Sequence, residues 1–283
     1  MTRRARAELY LFLVTFIWGS TFVTTKYLLE GVSPFLYIAI RFGLAAVLLA
    51  LVFRKEVTGL TIGAAQKGAV LGGMLSVGFI LQTIGLQYTS ASKSAFITGM
   101  LVVFTPICQF FIERRPPRKG NVIGVVLVTL GLYFLTSPEG SEFNIGDALT
   151  LVCALLFALY IVYLDMFGKE HNPAQLTLMQ FVVAAFLGGA GTFLFEEVMF
   201  TPNGEFLLAI AYLAVFATVI AIYVQTRFQK DTTPTRSAVI FSLEPVFAAG
   251  FAFLLLGEML GVLGLLGGGL IVGGLLVSEL SPE

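Results

Sequence analysis

The sequence predicts an all-α integral membrane protein of ten transmembrane helices, arranged as a five-plus-five inverted-topology repeat. Three observations predict it. Of 283 residues 57 % are hydrophobic and only 12 % charged, the apolar residues fall into ten continuous runs, and the basic residues collect at alternate ends of those runs. Globular chains carry roughly 25 % charge. With a mean hydropathy of +0.92, most of the solvent for this chain has to be lipid. A formal net charge of zero gives a nucleic-acid partner no electrostatic support, so the expected partners are the bilayer and a small molecule.

A hydrocarbon core about 30 Å thick takes roughly 20 helical residues at 1.5 Å each. The runs that meet this are Leu9–Leu29, Pro34–Phe53, Lys67–Gln87, Ser92–Ile112 and Asn121–Thr136 in the first half. Gly146–Met166, Pro173–Phe195, Phe206–Phe228, Thr235–Leu256 and Leu260–Ser278 make up the second. They are continuously apolar rather than alternating, which excludes a β-barrel. The basic start, Arg3-Arg4-Ala5-Arg6, precedes an apolar run too long for a signal peptide and lacking a small-residue cleavage site. It is expected to be a retained first helix.

With the N-terminus in the cytoplasm, the inner side receives Arg3, Arg4, Arg6, Arg54, Lys55, Lys67, Arg114, Arg115, Arg118, Lys119, Lys169, Arg227, Lys230 and Arg236. Only Lys26 and Lys93 fall near outer ends, where the loops carry Glu139, Glu142, Asp147, Glu196, Glu197 and Glu205 instead. A missed or invented span would reverse this alternation downstream, so the positive-inside bias supports ten spans with both termini cytoplasmic.

The halves are expected to be repeats, residues 1–138 and 139–283. Trp18 precedes Pro34 by sixteen residues, with Arg41-Phe42 beyond; Phe157 precedes Pro173 by sixteen, with Gln180-Phe181 beyond. Ser94-Ala95 through Pro106 to Glu113 parallels Ser237-Ala238 through Pro245 to Glu258, although the prolines are offset by about one turn. Five helices is an odd number, so the second half inserts upside down. Inverted repeats place a substrate site between them at mid-depth.

At these residues the chain resembles the drug/metabolite transporter superfamily, in its EamA-type branch. The resemblance rests on Trp18-Gly19-Ser20, Arg41-Phe42, Gln87-Tyr88-Thr89-Ser90-Ala91-Ser92, Leu243-Glu244-Pro245, Gly257-Glu258 and the Gly-rich tenth helix. In the first half Ile112-Glu113-Arg114-Arg115 replaces the Gly-Glu pair. The resemblance implies a multi-pass carrier of the bacterial cytoplasmic (inner) membrane, many of whose relatives export amino acids or other small metabolites.

Glu244 is the most expensive residue in the chain, because an ionised carboxylate at mid-membrane costs several kcal/mol unless paired or hydrated. It is read either as a group that couples protons or binds a substrate amine, or as a structural carboxylate beside a proline kink. Arg41 lies within about one turn of the same depth, which permits a buried pair; the alternative is that it holds helix-end carbonyls. Its counterpart Gln180 can bond but not pair. Trp18 and Phe22 share a helical face and are candidates to line a cavity, as are Phe157 and Tyr160 in the second half, with simple packing as the alternative. Gln82, Tyr223 and Gln225 are further polar groups within apolar runs. The pairs Gly264/Gly268 and Gly269/Gly273 predict close packing of the tenth helix on the fifth, near Gly120 and Gly124.

The predicted function is a secondary carrier that moves, in the export direction, small metabolites such as amino acids by alternating access. A proton-coupled carrier and an energy-independent facilitator are both open. An intramembrane enzyme lacks support: the spans hold no nucleophile–base set and no Asp pair, and a lone His171 with Cys108 and Cys153 supplies no metal-like spacing. No cofactor and no metal is expected. A monomer is the first expectation and a homodimer the alternative.

Overall fold

The computed structural model describes residues 1–89, 91–114, 116–136, 143–256 and 261–280; among these every regular element is helical. The first half comprises α1 (Arg3–Gly19), α2 (Thr21–Leu28), α3 (Pro34–Val52), α4 (Arg54–Val57), α5 (Ile62–Tyr88), α6 (Ala91–Gly99), α7 (Leu101–Glu113) and α8 (Lys119–Thr136). In the second, α9 (Ile145–Gly168) and α10 (Pro173–Phe195) lead to α11 (Gly204–Tyr212). A π-helical segment, Leu213–Ile220, joins α11 to α12 (Ala221–Phe228), and α13 (Pro234–Phe241), α14 (Glu244–Leu256) and α15 (Val262–Leu280) complete the chain. Among the described residues seven helical stretches are long and apolar enough to cross a membrane: Arg3–Leu28, Pro34–Val52, Ile62–Tyr88, Lys93–Glu113, Ile145–Gly168, Pro173–Phe195 and Gly204–Asp231. Lys119–Leu135 and Val262–Ser278 are shorter apolar helices.

The interruptions are the main departure from the sequence reading. Four expected continuous runs are broken: at Ser20, at Met100, through the π-segment, and at Ser242–Leu243. Pro245 accounts for the last of these, since its ring would clash with the carbonyl four residues back and it has no N–H to donate. Glu244 therefore does not sit inside a continuous helix. It opens α14, where the positive end of the helix dipole favours a carboxylate.

α5 lies between α9 and α10, α3 packs on α10, and α1 packs against α12, α13 and α14. An antiparallel bridge, Val32 to Phe200, joins two connections. Beside it the Glu196 carboxylate accepts from the Phe35 and Leu36 amides at 2.9 and 3.3 Å, capping α3. α8 and α15 pack closely as expected, antiparallel and with Gly124 in the contact, but through other glycines of α15. A Cβ on Gly124 would meet the Gly274 carbonyl oxygen at 2.7 Å, and one on Gly131 the Gly267 oxygen at 2.7 Å. Gly268, Gly269 and Gly273 face open space. The contact thus uses glycines seven apart rather than four. Large apolar side chains cover the outside, among them Phe193 at 90 % exposure, Leu208 and Val262. That surface suits lipid and not water. Gly257-Glu258, Ser90, Arg115, Glu139 and Glu142 lie outside the described residues.

Candidate functional site

A cavity of about 600 Å³, its mouth included, opens where the helices are interrupted. Its wall contains Trp18 and Thr21 from the first break, Thr98 and Leu101 from the second, and Phe241 and Glu244 from the last. Arg41 of α3, Leu75, Phe79 and Gln82 of α5, Phe157, Tyr160 and Ile161 of α9, and Gln225 of α12 complete it.

The motif around Trp18 has a local reason at each residue. Trp18 Nε1 donates to the Ala217 carbonyl of the π-segment at 3.0 Å. Gly19 allows α14 to come close: a Cβ there would lie 2.7 Å from Phe247 Cβ and 3.1 Å from the Glu244 oxygen. The Ser20 hydroxyl lies 2.8 Å from the Ile17 carbonyl oxygen and 2.7 Å from the Tyr212 hydroxyl, which secures the end of α1.

Arg41 is 2 % exposed. Its Nε donates to Thr218 Oγ1 at 2.7 Å and its Nη1 to the Tyr37 hydroxyl at 2.9 Å. The Thr218 hydroxyl donates in turn to Leu213 O at 2.8 Å, so its oxygen is left as the acceptor. The guanidinium lies over the Phe79 ring, 5.0 Å from its centroid, with Phe42 at 5.6 Å. Among the described residues no carboxylate lies within ion-pair distance of Arg41, and Glu244 has no hydrogen-bond or ion-pair partner. The permitted Arg41–Glu244 pair is not formed. The cavity instead holds one cation and one acid, separately.

Aromatic rings and amides form the rest of the wall. Phe157 meets Phe79 edge-on at 5.2 Å, and Trp18 meets Phe241 at 5.4 Å. Gln82 Nε2 donates to Thr98 Oγ1 at 3.0 Å, tying α5 to the end of α6.

Of the ten residues singled out by sequence, Trp18, Arg41, Gln82, Phe157, Tyr160, Gln225 and Glu244 line this cavity. Three do not. Phe22 is buried in the core, and Thr21, three residues after Trp18, faces the cavity in its place. Gln180 is fully buried behind Tyr160, whose hydroxyl donates to its Oε1 at 2.7 Å. Tyr223 stacks on Phe53, centroids 4.3 Å apart, because the π-segment rephases the turns after it and brings Gln225 to the cavity instead. Thr98, Leu101, Leu75 and Phe79 had only their place in apolar runs to mark them. The six-residue spacing from Ser94 to Met100, repeated from Ser237 to Leu243, is the signal that could have located both breaks.

Broken membrane-crossing helices around a small-molecule cavity define a multi-pass membrane transporter. The model of the EamA-like transporter family matches residues 5–137 and again residues 144–280. The chain belongs to that family; it is a transporter and not an enzyme. It is similar to a protein of Archaeoglobus fulgidus described as an uncharacterized transporter, at 36 % identity over 91 % of this chain and 80 % of that one. It is also similar to the threonine/homoserine exporter RhtA of Escherichia coli K12, at 30 % identity over 76 % of this chain and 70 % of that one. A solved crystal structure, 19 % identical, shares the fold with a TM-score of 0.84 over 98 % of this chain and 97 % of its own.

Proposed function

We propose that this protein is a secondary carrier that exports small zwitterionic metabolites of the amino-acid kind across the cytoplasmic membrane by alternating access. The observation that carries the reading is the cavity in which Arg41 and Glu244 stand unpaired among aromatic rings. A guanidinium with Nη2 uncommitted suits a carboxylate, a carboxylate at the head of α14 suits an ammonium, and Phe79, Phe157 and Trp18 suit a small apolar side chain. The relative named as a threonine/homoserine exporter supports the same solute class. In this reading residues 1–138 and 139–283 form inverted halves of five helices each, with both termini cytoplasmic. The two family matches and the equivalent breaks at Met100 and Ser242–Leu243 support that division.

Glu244 is the coupling group in this reading, because it can exchange a proton for the substrate's ammonium in one cavity. Flux of labelled amino acids through proteoliposomes, with and without a pH gradient, tests both parts. Saturable flux that tracks the gradient, with Glu244→Gln transporting but indifferent to it, is the expected result. Gradient-driven flux that persists in Glu244→Gln removes Glu244 from coupling, and the absence of amino-acid flux overturns the solute class.

A further inference from the structure

We infer that two clusters, Thr89–Lys93–Asp147 and Thr232–Arg236–Glu8, are a matched pair of latches that release in turn, opening the cavity first on one face and then on the other. The inference goes beyond the carrier reading and rests on it for the existence of two access states.

In the first cluster Thr89 Oγ1 donates to Asp147 Oδ1 at 2.9 Å, and Lys93 Nζ lies 2.6 Å from Asp147 Oδ2. In the second, Thr232 Oγ1 donates to Glu8 Oε1 at 2.9 Å, and Arg236 Nη1 lies 3.5 Å from the same oxygen, which also accepts from Arg4 Nε of the same helix at 2.9 Å. Arg4 aside, threonine, cation and acid play the same roles in both clusters. Threonine and cation are four apart in both, and Ser-Ala comes directly after the cation in both. Asp147 stands ten residues before Phe157, and Glu8 ten before Trp18. Two chance surface pairs would not share this register. Neither is at the surface: the Asp147 side chain is fully buried and the Arg236 side chain 2 % exposed. Each cluster joins opposite halves of the chain, α6 to α9 in one and α13 to α1 in the other.

The clusters lie on opposite faces of the bundle. α1 and α2 run from Glu8 past the cavity residues Trp18 and Thr21 to Lys26, whose Nζ donates to the Thr89 carbonyl at 3.1 Å. Eighteen residues of helix span roughly 27 Å, close to the hydrocarbon thickness. Each cluster also holds the outer end of a half-helix whose other end is in the cavity wall. α6 runs from Lys93 to Thr98 and then breaks at Met100, while α13 runs from Arg236 to Phe241 and breaks at Ser242–Leu243. A rearrangement of either break on substrate binding therefore loads the latch one to two turns away. The first cluster also explains Lys93, which with Lys26 stands against the positive-inside pattern: it meets Asp147.

The test places one reporter cysteine in the cavity, Thr21→Cys, in a background with Cys108→Ala and Cys153→Ala. Uniformly oriented proteoliposomes are then labelled with a membrane-impermeant maleimide from one side or the other. Lys93→Gln spares the Asp147 helix cap and is expected to raise labelling from the Thr89 face about tenfold, a population shift of ~1.4 kcal/mol. Arg236→Gln is expected to raise it from the opposite face only, and Lys93→Arg and Arg236→Lys to restore the parent pattern. Labelling that rises on both faces alike, or on neither, overturns the latches. Amino-acid flux of the protein that retains Thr21 keeps the two ideas apart: flux there with unmoved labelling in the cysteine background refutes the latches alone, whereas no flux there refutes the carrier reading.

Discussion

Replacing Arg41 with lysine keeps the charge and removes the fork. The guanidinium now bonds Thr218 through Nε and Tyr37 through Nη1, at 2.7 and 2.9 Å, while Nη2 has no partner among the described residues. An ammonium on a shorter stem can keep one of these anchors or reach into the cavity, and cannot hold both anchors and present a planar face to a carboxylate. A hydrogen bond to a charged group contributes about 1.5–3 kcal/mol net. Loss of one such bond to the substrate raises KM by roughly ten- to a hundredfold, since about 1.4 kcal/mol is tenfold. The assay is initial-rate uptake into proteoliposomes for an amino acid and for the matching amine without a carboxylate. Arg41→Lys is expected to raise KM for the amino acid alone and to leave the amine as it was. If both solutes lose transport equally, Arg41 is a scaffold residue, and the carboxylate assignment is wrong.

Single contacts give three further outcomes. Gly267→Ala puts a Cβ 2.3 Å from the Leu135 amide nitrogen and should lower stability by about 1–3 kcal/mol, whereas Gly268→Ala, in open space, should leave the melting temperature in detergent unchanged. Trp18→Phe keeps the ring against Phe241 and removes the donor to Ala217; a loss of about 0.5–1.5 kcal/mol is expected in thermal melts, and an unmoved transition would deny that bond any role. Reporter enzymes fused to either terminus are expected to be active only in the cytoplasm, and a C-terminal fusion active outside would break the even span count.

Much of the bundle was legible because lipid imposes simple rules. Apolar run length located the helices, and Pro173–Phe195 agrees at both ends with α10. The chemistry-bearing residues of the cavity were legible where a polar or aromatic type stood out from apolar surroundings, as with Trp18, Arg41, Gln82 and Glu244. Side-chain direction was not. Trp18 and Phe22 share a face by spacing, yet Trp18 lines the cavity and Phe22 the core, with the break at Ser20 between them. Tyr223 is turned away because a π-segment adds residues to a turn and rotates the helix beyond it. Nothing in the apolar run Leu213–Ile220 marks it as π-helical. The glycine contacts failed on register: small residues four apart announce close packing, but the antiparallel α8–α15 pair meets through Gly124, Gly131, Gly267 and Gly274.

The interruptions and the cavity are one feature seen twice. Inside a bilayer an unsatisfied backbone group costs several kcal/mol, so a break in a helix persists only beside protein or a wet cavity that can satisfy it. Here the π-segment lends the Ala217 carbonyl to the Trp18 indole and the Thr218 hydroxyl to Arg41. Side chains from α1 and α3 thus converge on one irregular stretch. The break before Glu244 puts a carboxylate at a helix head, and the break at Met100 leaves Thr98 holding Gln82 across the cavity wall. Straightening any of these helices would restore backbone bonds and at the same time remove the polar groups a solute needs. The prolines, serines and glycines at these points therefore belong to the site as much as Arg41 and Glu244 do. Changes there should alter solute affinity even when the melting temperature does not fall.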